Sequence, residues 1–404
     1  MRSFITRVET AINELHKGKM IILTDHPDRE NEGDIIFPAE IITSDIINFM
    51  IRHCSGIICL SLTADQLKKL GLNYMVPPNE NTNRRGTPFM VSIEAKEGIT
   101  TGISAKDRTT TIQAATKNNV SDSDIVKPGH IFPLYAQEGG VLVRNGHTEG
   151  AIDIVRLAGF NPAAVLCEVM NADGTMASGK MLRHFAKQHQ LTILSIDDLI
   201  TYRLCHENLI SEETVAQLPL EKYGLFNVSI IKEKSNHHEH IILTSHNKFK
   251  KSSLVRIHSA CTTGDLFSSQ RCDCKSQLNY SLQKISEQGG MLIYLNQEGR
   301  GIGLFNKIKA YSLQENGLDT VEANKMLNLP IDSREYYIAA NILKSRNMNK
   351  IRLLTNNPLK VAGLKKYGIS NVKMEVMPVF SHENNINYLR TKKEKLNHVI
   401  NELL

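Results

Sequence analysis

The sequence predicts an α+β protein built from two mixed α/β domains in tandem. Three observations lead there. The chain has 404 residues, and domains usually hold roughly 100–200 residues each. Short apolar runs of strand length alternate with amphipathic stretches at helical spacing. Near residues 197–222 the pattern changes, as a charged helix leads through Glu212-Glu213 to Leu218-Pro219-Leu220. The expected domains are 1–205 and 206–404, with the crossing near Leu218–Leu220 exposed.

The elements follow in chain order. Phe4, Val8, Ile12 and Leu15 recur at helical spacing, so 3–17 is a helix. Met20-Ile21-Ile22-Leu23 is a buried strand, followed by a polar loop from Asp25 to Asp34. Ser44 to Ile51 is a helix capped by Ser44. Residues 57–62 are a strand, and Ala64 to Leu70 a helix ended by Gly71. Residues 77–88, rich in Pro, Asn, Arg and Gly, are a loop. Thr109 to Asn118 is a helix, Val141–Val143 and Val165–Val169 are strands, and Ala177 to His189 is a helix. Asp197 to Asn208 is the charged helix before the boundary. A strand-rich region follows, in which His237-His238-Glu239-His240 is either an exposed hairpin turn or a metal-binding cluster. Strands at 291–295 and 351–354 flank a helix from Ser333 to Ser345.

Composition narrows the function classes. An apolar fraction of 41% with 22% charged residues excludes disorder and coiled coil as the main theme. No apolar run approaches the ~20 residues that span a bilayer, so no membrane partner is expected. Charges break residues 1–9 too early for a signal peptide, and the expected location is the cytoplasm. Seven cysteines without a secretory signal argue against a disulfide framework. Cys54, Cys59, Cys167 and Cys205 read as small buried hydrophobes. Residues 1–205 carry 21 basic and 23 acidic side chains, and 206–404 carry 27 and 19, so the second half holds a surplus of eight positive charges. Such a surplus suits a polyanion. Nucleic acid is disfavoured, because tryptophan is absent and no aromatic-studded basic stretch occurs.

Two constellations carry chemistry. The first begins with five carboxylates within Asp25–Asp34. Such density is costly unless solvent or cations offset it, and carboxylate oxygens suit Mg²⁺ or Mn²⁺. Lys127-Pro128-Gly129-His130 and Arg144-Asn145-Gly146-His147-Thr148 follow. The latter run offers amides, a hydroxyl and a guanidinium to a phosphate or to hydroxyl groups. The second constellation is Cys261-x10-Cys272-Asp273-Cys274. Three thiolates suit a catalytic zinc with an open position; with His258 they could form a structural site, and spacing alone also allows no metal. Around them stand Arg256, Thr262-Thr263-Gly264-Asp265, Arg271, Gln297 to Leu304, Asp332-Ser333-Arg334 and Thr355 to Lys360. Arginines, Gly-rich turns and a lysine suit a polyphosphate.

Over about residues 3–203 the chain resembles 3,4-dihydroxy-2-butanone 4-phosphate synthase. The resemblance rests on Asp28 to Asp34, Thr100 to Arg108, Gly129 to Leu134 and Arg144 to Thr148. It implies conversion of D-ribulose 5-phosphate to the butanone phosphate and formate. Glu30 and His147 would hold Mg²⁺ or Mn²⁺. Arg29, Glu30, Asp34, Arg144, Asn145, Gly146, His147, Thr148 and Glu168 would bind the sugar phosphate. His130 and Glu168 would be catalytic. The family is dimeric, with sites at the subunit interface, so a homodimer is expected.

Over about residues 218–385 the chain resembles GTP cyclohydrolase II. That implies hydrolysis of GTP to formate, pyrophosphate and a diamino-ribosylaminopyrimidinone phosphate, with Zn²⁺ on Cys261, Cys272 and Cys274. Asp332 and Arg334 would be catalytic. Arg256, Ile257, His258, Ser259, Ala260, Gln277, Glu298, Gly299, Arg300, Thr320, Thr355 and Lys360 would bind GTP. One residue departs: the family has Glu where this chain has Ala260. The leading expectation is a bifunctional enzyme of riboflavin biosynthesis. The alternative is an active synthase whose second domain is weakened or silent and serves as a scaffold.

Overall fold

A computed structural model describes residues 3–246 and 253–400. The chain divides between Arg203 and Leu204 into two compact units.

The first unit holds strands β1 (Ile21–Thr24), β2 (Gly33–Pro38), β3 (Cys59–Leu62), β4 (Ile93–Ala95), β5 (Ile125–Tyr135), β6 (Ala164–Glu168) and β7 (Thr192–Ser195). They form one mixed sheet in the order β4-β5-β3-β6-β2-β1-β7. Neighbours β1–β7 and β3–β5 run parallel, and β1–β2, β2–β6, β3–β6 and β4–β5 antiparallel. Side chains alternate between faces along a strand. Ile22, Ile35, Phe37 and Val165 enter one core, whereas Ile21, Leu23, Ile36 and Leu166 enter another. Burial on both faces is why these strands read as unbroken apolar runs.

The second unit repeats this logic. Its strands are β8 (Ile210–Leu220), β9 (Gly224–Glu233), β10 (Glu239–Ser245), β11 (Ser253–Ser259), β12 (Gly290–Leu295), β13 (Lys350–Leu354) and β14 (Asn371–Glu375), in the order β14-β13-β11-β12-β10-β9-β8. Strands β8 to β10 pair antiparallel, and β11 pairs parallel with both β12 and β13. Val255, Ile257, Ile293 and Leu353 face one core; Leu254, Leu292 and Leu354 face the other.

Some elements differ from the sequence expectation. Thr43, not Ser44, caps its helix, its hydroxyl accepting from the Ile46 N–H. Val141–Val143 is no strand; Gly139 and Gly140 both have positive φ and start a 3₁₀ turn at Gly140–Leu142. The acidic loop stops early, because Gly33 and Asp34 already belong to β2. The helix expected from Thr109 begins at Ala105, capped by Ser104. The helix expected from Ser333 begins at Tyr337 and leaves Asp332–Arg334 as a loop. Leu218-Pro219-Leu220 is not a crossing but the end of β8, with Pro219 exposed and its neighbours half-buried. His240 is buried on β10: its Nδ1 accepts the Asn296 N–H at 3.0 Å, and its Nε2 lies 2.8 Å from Glu233.

Candidate active sites

The first site gathers at the ends of β1, β2 and β6. Thr24 pairs with Gly33 across the mouth of the acidic loop, and Asp34 pairs with Glu168 in the β2–β6 register. Asp25 braces the loop from within. Its carboxylate accepts from the Glu30 N–H at 2.9 Å, the Glu32 N–H at 3.0 Å and Arg29 at 3.1 Å. That brace places Glu30 beside the helix His147–Leu157, whose cap is Gly146. His147 Nδ1 lies 3.7 Å from Glu30 and 3.9 Å from Asp34. Ligand atoms of Asp25, Glu30 and His147 all lie within 4.8 Å of one another.

The charges are strongly coupled. His147 holds the Glu30 carboxyl down at about 2. Burial pushes Asp34 up to about 7. Burial works against a charged His147, but Asp34 and Glu30 outweigh it and raise the imidazole to about 9. His147 Nε2 and Asp34 Oδ1 are buried without hydrogen-bond partners. Buried polar atoms are rarely left so, and two in one acidic pocket fit a divalent cation. Arg144 bonds Glu149 at 2.7 Å, and Arg85 reaches both the Arg29 carbonyl and Glu30. The first turn of the His147 helix leaves amides free for an anion.

The structure brings Arg29, Glu30, Asp34, Arg144 to Thr148 and Glu168 into one region, with the Glu168 carboxylate accepting from the Ile57 N–H at 2.9 Å. His130 stands apart. It sits on β5, half exposed, bonded to Glu94, and bonds neither Glu30 nor His147. Gly102, at φ +85°, covers that pair; a Cβ there would overlap the Glu94 carboxylate.

The second site is a cleft of about 1120 Å³ counted out to solvent, framed by the C-terminal ends of β11 and β13 and by the loop after β12. Cys261, Cys272 and Cys274 offer sulfurs within 4.8 Å of one another. Lys307 donates to Cys261 Sγ at 3.2 Å and to Glu298 at 2.8 Å. Hydrogen bonds from Cys272 and Cys274, with the Lys307 ammonium, hold Cys261 far below the usual thiol range, while Cys274 is pushed up. A soft divalent ion would replace the protons these thiols share. His258 is not a fourth ligand: its Nε2 faces Asp265 at 3.1 Å and its ring stacks on Tyr294.

Gly299 and Arg300 both have left-handed φ near +60°, which turns the loop after β12 sharply into the cleft. Such a conformation is costly for arginine and marks functional loops. Four cleft-lining polar atoms are buried without partners: Arg256 Nε, Ser259 Oγ, Arg300 Nη1 and Asn357 Nδ2. Burial, with Arg256 and Arg334 nearby, pushes the Lys360 ammonium well down, although its Nζ donates to the Ile257 carbonyl at 2.6 Å. This is a site that gains by receiving an anion.

Arg256, His258, Ser259, Ala260, Gln277, Glu298, Gly299, Arg300, Thr320, Arg334, Thr355 and Lys360 line the cleft. Ile257 does not; it packs in the core and offers only its carbonyl. Asp332 sits behind Arg334, accepting from its backbone N–H at 3.0 Å and its Nε at 2.8 Å. Sequence reasoning missed Lys307, Tyr311, Tyr388, Lys392 and His398, which also line it. No local motif marks them, because what ties them to the cleft is distant in the chain: Lys307 meets Cys261, Tyr311 meets Thr263 and Lys392 meets Asp273.

Residues 9–202 match the family model for 3,4-dihydroxy-2-butanone 4-phosphate synthase, and residues 211–376 match that for GTP cyclohydrolase II. The chain is 48% identical over 397 residues to the riboflavin biosynthesis protein RibBA of Aquifex aeolicus, covering 97% of each. It is 47% identical over 401 residues to the RibBA of Phocaeicola vulgatus, covering 98% of each. Among solved structures it is similar to RibBX, a two-domain 3,4-dihydroxy-2-butanone 4-phosphate synthase from A. baumannii. The TM-score is 0.66 at 34% identity, covering 92% of this chain and 100% of that one. With matched domains, order and length in agreement, the chain belongs to the RibBA family of bifunctional riboflavin-biosynthesis enzymes, which join a synthase domain to a GTP cyclohydrolase II domain.

Proposed function

We propose that residues 1–205 convert D-ribulose 5-phosphate to 3,4-dihydroxy-2-butanone 4-phosphate and formate, and that residues 206–404 hydrolyse GTP to the diamino-ribosylaminopyrimidinone phosphate, formate and pyrophosphate. For the first reaction, Glu30 and His147 would hold Mg²⁺ or Mn²⁺, which when bound acidifies a C–H beside a carbonyl. The His147 helix N-terminus, Arg29 and Arg144 grip the phosphate and hydroxyls. Glu168 and His130 act as acid–base groups. His130 makes no bond to Glu30 or His147 within the chain, which favours a homodimer with sites between subunits. For the second reaction, Cys261, Cys272 and Cys274 would hold Zn²⁺, which when bound lowers the pKa of its water to about 7. Arg256, Arg300 and Lys360 bind the triphosphate, and Arg334, oriented by Asp332, faces the cleft. All seven thiols are free, which suits the cytoplasm.

The observation that carries this reading is that two clustered donor sets each lie beside buried, unpartnered polar atoms. The test is incubation of the purified chain with ribulose 5-phosphate and Mg²⁺, and separately with GTP and Zn²⁺, with formate and the second product followed. Absence of formate in both would overturn it. Ala260, which lines the cleft, favours a second reading in which the second unit is a scaffold. Formate from the sugar phosphate but none from GTP would establish that one.

A further inference from the structure

The GTP cyclohydrolase II model stops at residue 376, yet the nucleotide cleft is lined beyond it. Tyr388, Lys392 and His398 come from the helix Ile386–Glu394 and the turn after it. This stretch is firmly seated. Leu389 is 1% exposed and Asn385 fully buried. Lys392 Nζ donates to Asp273 at 2.8 Å, and Asp273 lies between Cys272 and Cys274. The Val399 N–H donates to the Asn356 carbonyl at 2.8 Å, inside the Thr355–Asn357 loop. Lys395 bonds Asp319 and Glu322, which cap the helix at Thr320.

Side chains that merely sealed the cleft would be apolar. Those that face it are an ammonium, a phenol and an imidazole. Lys392 spends one N–H on Asp273 and has two more. Its Nζ lies 4.4 Å from the Tyr388 ring, and the same ring lies 5.9 Å from the Arg300 guanidinium. The His398 imidazole makes no hydrogen bond to another described residue, and burial plus Lys392, Arg334, Lys360 and Arg300 keep it neutral, with its value driven down to about 3. Of these four, Arg334 is paired with Asp332 and Lys392 with Asp273, whereas Arg300 and Lys360 have no carboxylate partner among the described residues. A polyanion placed there would pair with Arg300 and favour the charged form of Lys360.

We propose that residues 386–398 form one wall of the nucleotide site, with Lys392 and His398 contacting the polyphosphate of the ligand and Tyr388 holding Arg300 and Lys392 in place. The proposal rests on the cleft being the GTP site, and it adds phosphate contacts from a segment outside the matched family model. Truncation would expose the core under Leu389, so point variants are the test, in the full-length zinc-loaded chain.

His398→Ala is expected to raise KM for GTP about tenfold, the scale of one lost hydrogen bond to a charged group, with kcat within about twofold. Inhibition by inorganic tripolyphosphate should weaken by the same factor, and inhibition by guanosine should not change. Zinc content should stay the same. His398→Gln should fall between the two and serves where the alanine variant is unstable. Lys392→Gln should weaken tripolyphosphate at least as much, but it also frees Asp273, so His398 decides. A folded His398→Ala with unchanged KM and unchanged tripolyphosphate inhibition overturns the proposal, as does equal weakening of guanosine and tripolyphosphate. If the native chain turns over no GTP, the activity reading fails by itself; calorimetric binding of tripolyphosphate to native and His398→Ala protein then decides the wall, equal affinities overturning it.

Discussion

Glu30 and Cys272 sit in donor sets of opposite character, oxygen and imidazole on one side and sulfur on the other, so their losses should not cross. Glu30→Gln is expected to abolish butanone formation and leave GTP turnover within about twofold; Cys272→Ser should do the reverse, with formate release from each substrate as the assay. A folded variant that silenced both reactions would contradict two independent sites. Ala260 is the subtler case. Its backbone is fixed by the N–H bond to the Leu295 carbonyl at 2.8 Å, so only the missing side chain is at issue. A carboxylate there would face the cleft, where it would accept from the nucleotide or orient Arg256, whose Nε has no partner. One such pairing is worth about 1–3 kcal/mol, or roughly 5- to 150-fold. Ala260→Glu should therefore raise kcat/KM for GTP by at least about fivefold; equal rates would show that the cleft has no use for the carboxylate. Residues within contiguous motifs were legible in sequence because neighbours in the chain are neighbours in the site. Lys307 was not: it meets Cys261 across 46 positions of chain, through folding alone.

The elements were legible wherever burial was simple. The runs at 20–23, 57–62 and 291–295 supply β1, β3 and β12, whose residues are mostly apolar because both sheet faces are covered, although β3 starts only at Cys59 and Ile57 ahead of it is exposed. β2 was hidden because its first residues, Gly33 and Asp34, read as the end of an acidic loop, although Ile35, Ile36 and Phe37 are core. Val141–Val143 misled in the opposite sense: β-branched residues suggest a strand, but two glycines with positive φ before them bend the chain into a turn. The histidine-rich run at 237–240 mixes both outcomes, since His237 and His238 are in an exposed turn and His240 anchors β10. Burial opposes the Glu233 charge, yet the His240 and Tyr337 bonds hold its carboxyl below the usual value. A depressed carboxyl stabilises the fold above its unfolded value of about 4.3, and that stabilisation fades as acid passes its folded value. Glu233→Gln should thus lower the melting temperature at pH 7 by about 2–12 °C, for a cost of about 1–3 kcal/mol. The gap to the native chain should close as the pH falls below about 4. A gap that stayed constant down to pH 3 would rule out the charged pairing.

At the scale of the whole molecule, two sheets with separate cores predict two units that fold on their own. No described helix is long and apolar enough to cross a membrane. The place of the cut matters, because the division falls inside the helix Ile196–His206. Arg203 belongs to the first unit by its bonds: its guanidinium reaches the buried Asp153 at 2.6 Å and the half-buried Gly139 carbonyl at 2.8 Å. Leu204 and Cys205, one and two residues on, pack against the core of the second. A fragment 1–206 keeps the Arg203–Asp153 pair and should melt cooperatively and convert ribulose 5-phosphate at a rate near that of the full chain. A fragment 1–202 strands the Asp153 carboxylate. Removing one partner of a buried pair costs about 3–5 kcal/mol. Burial already pushes the Asp153 carboxyl up, so proton uptake softens the loss, as do the remaining bonds to the Val141 N–H and Arg156. At roughly 2–4 °C per kcal/mol the unsoftened loss would be about 6–20 °C, so the shorter fragment should melt measurably below the longer one at pH 7, by less than that full amount. The difference should narrow under mildly acid conditions, where Asp153 takes up its proton. Equal melting of the two fragments would show that the Arg203 pair adds nothing, and an insoluble 1–206 would show that the first unit needs the second in order to fold.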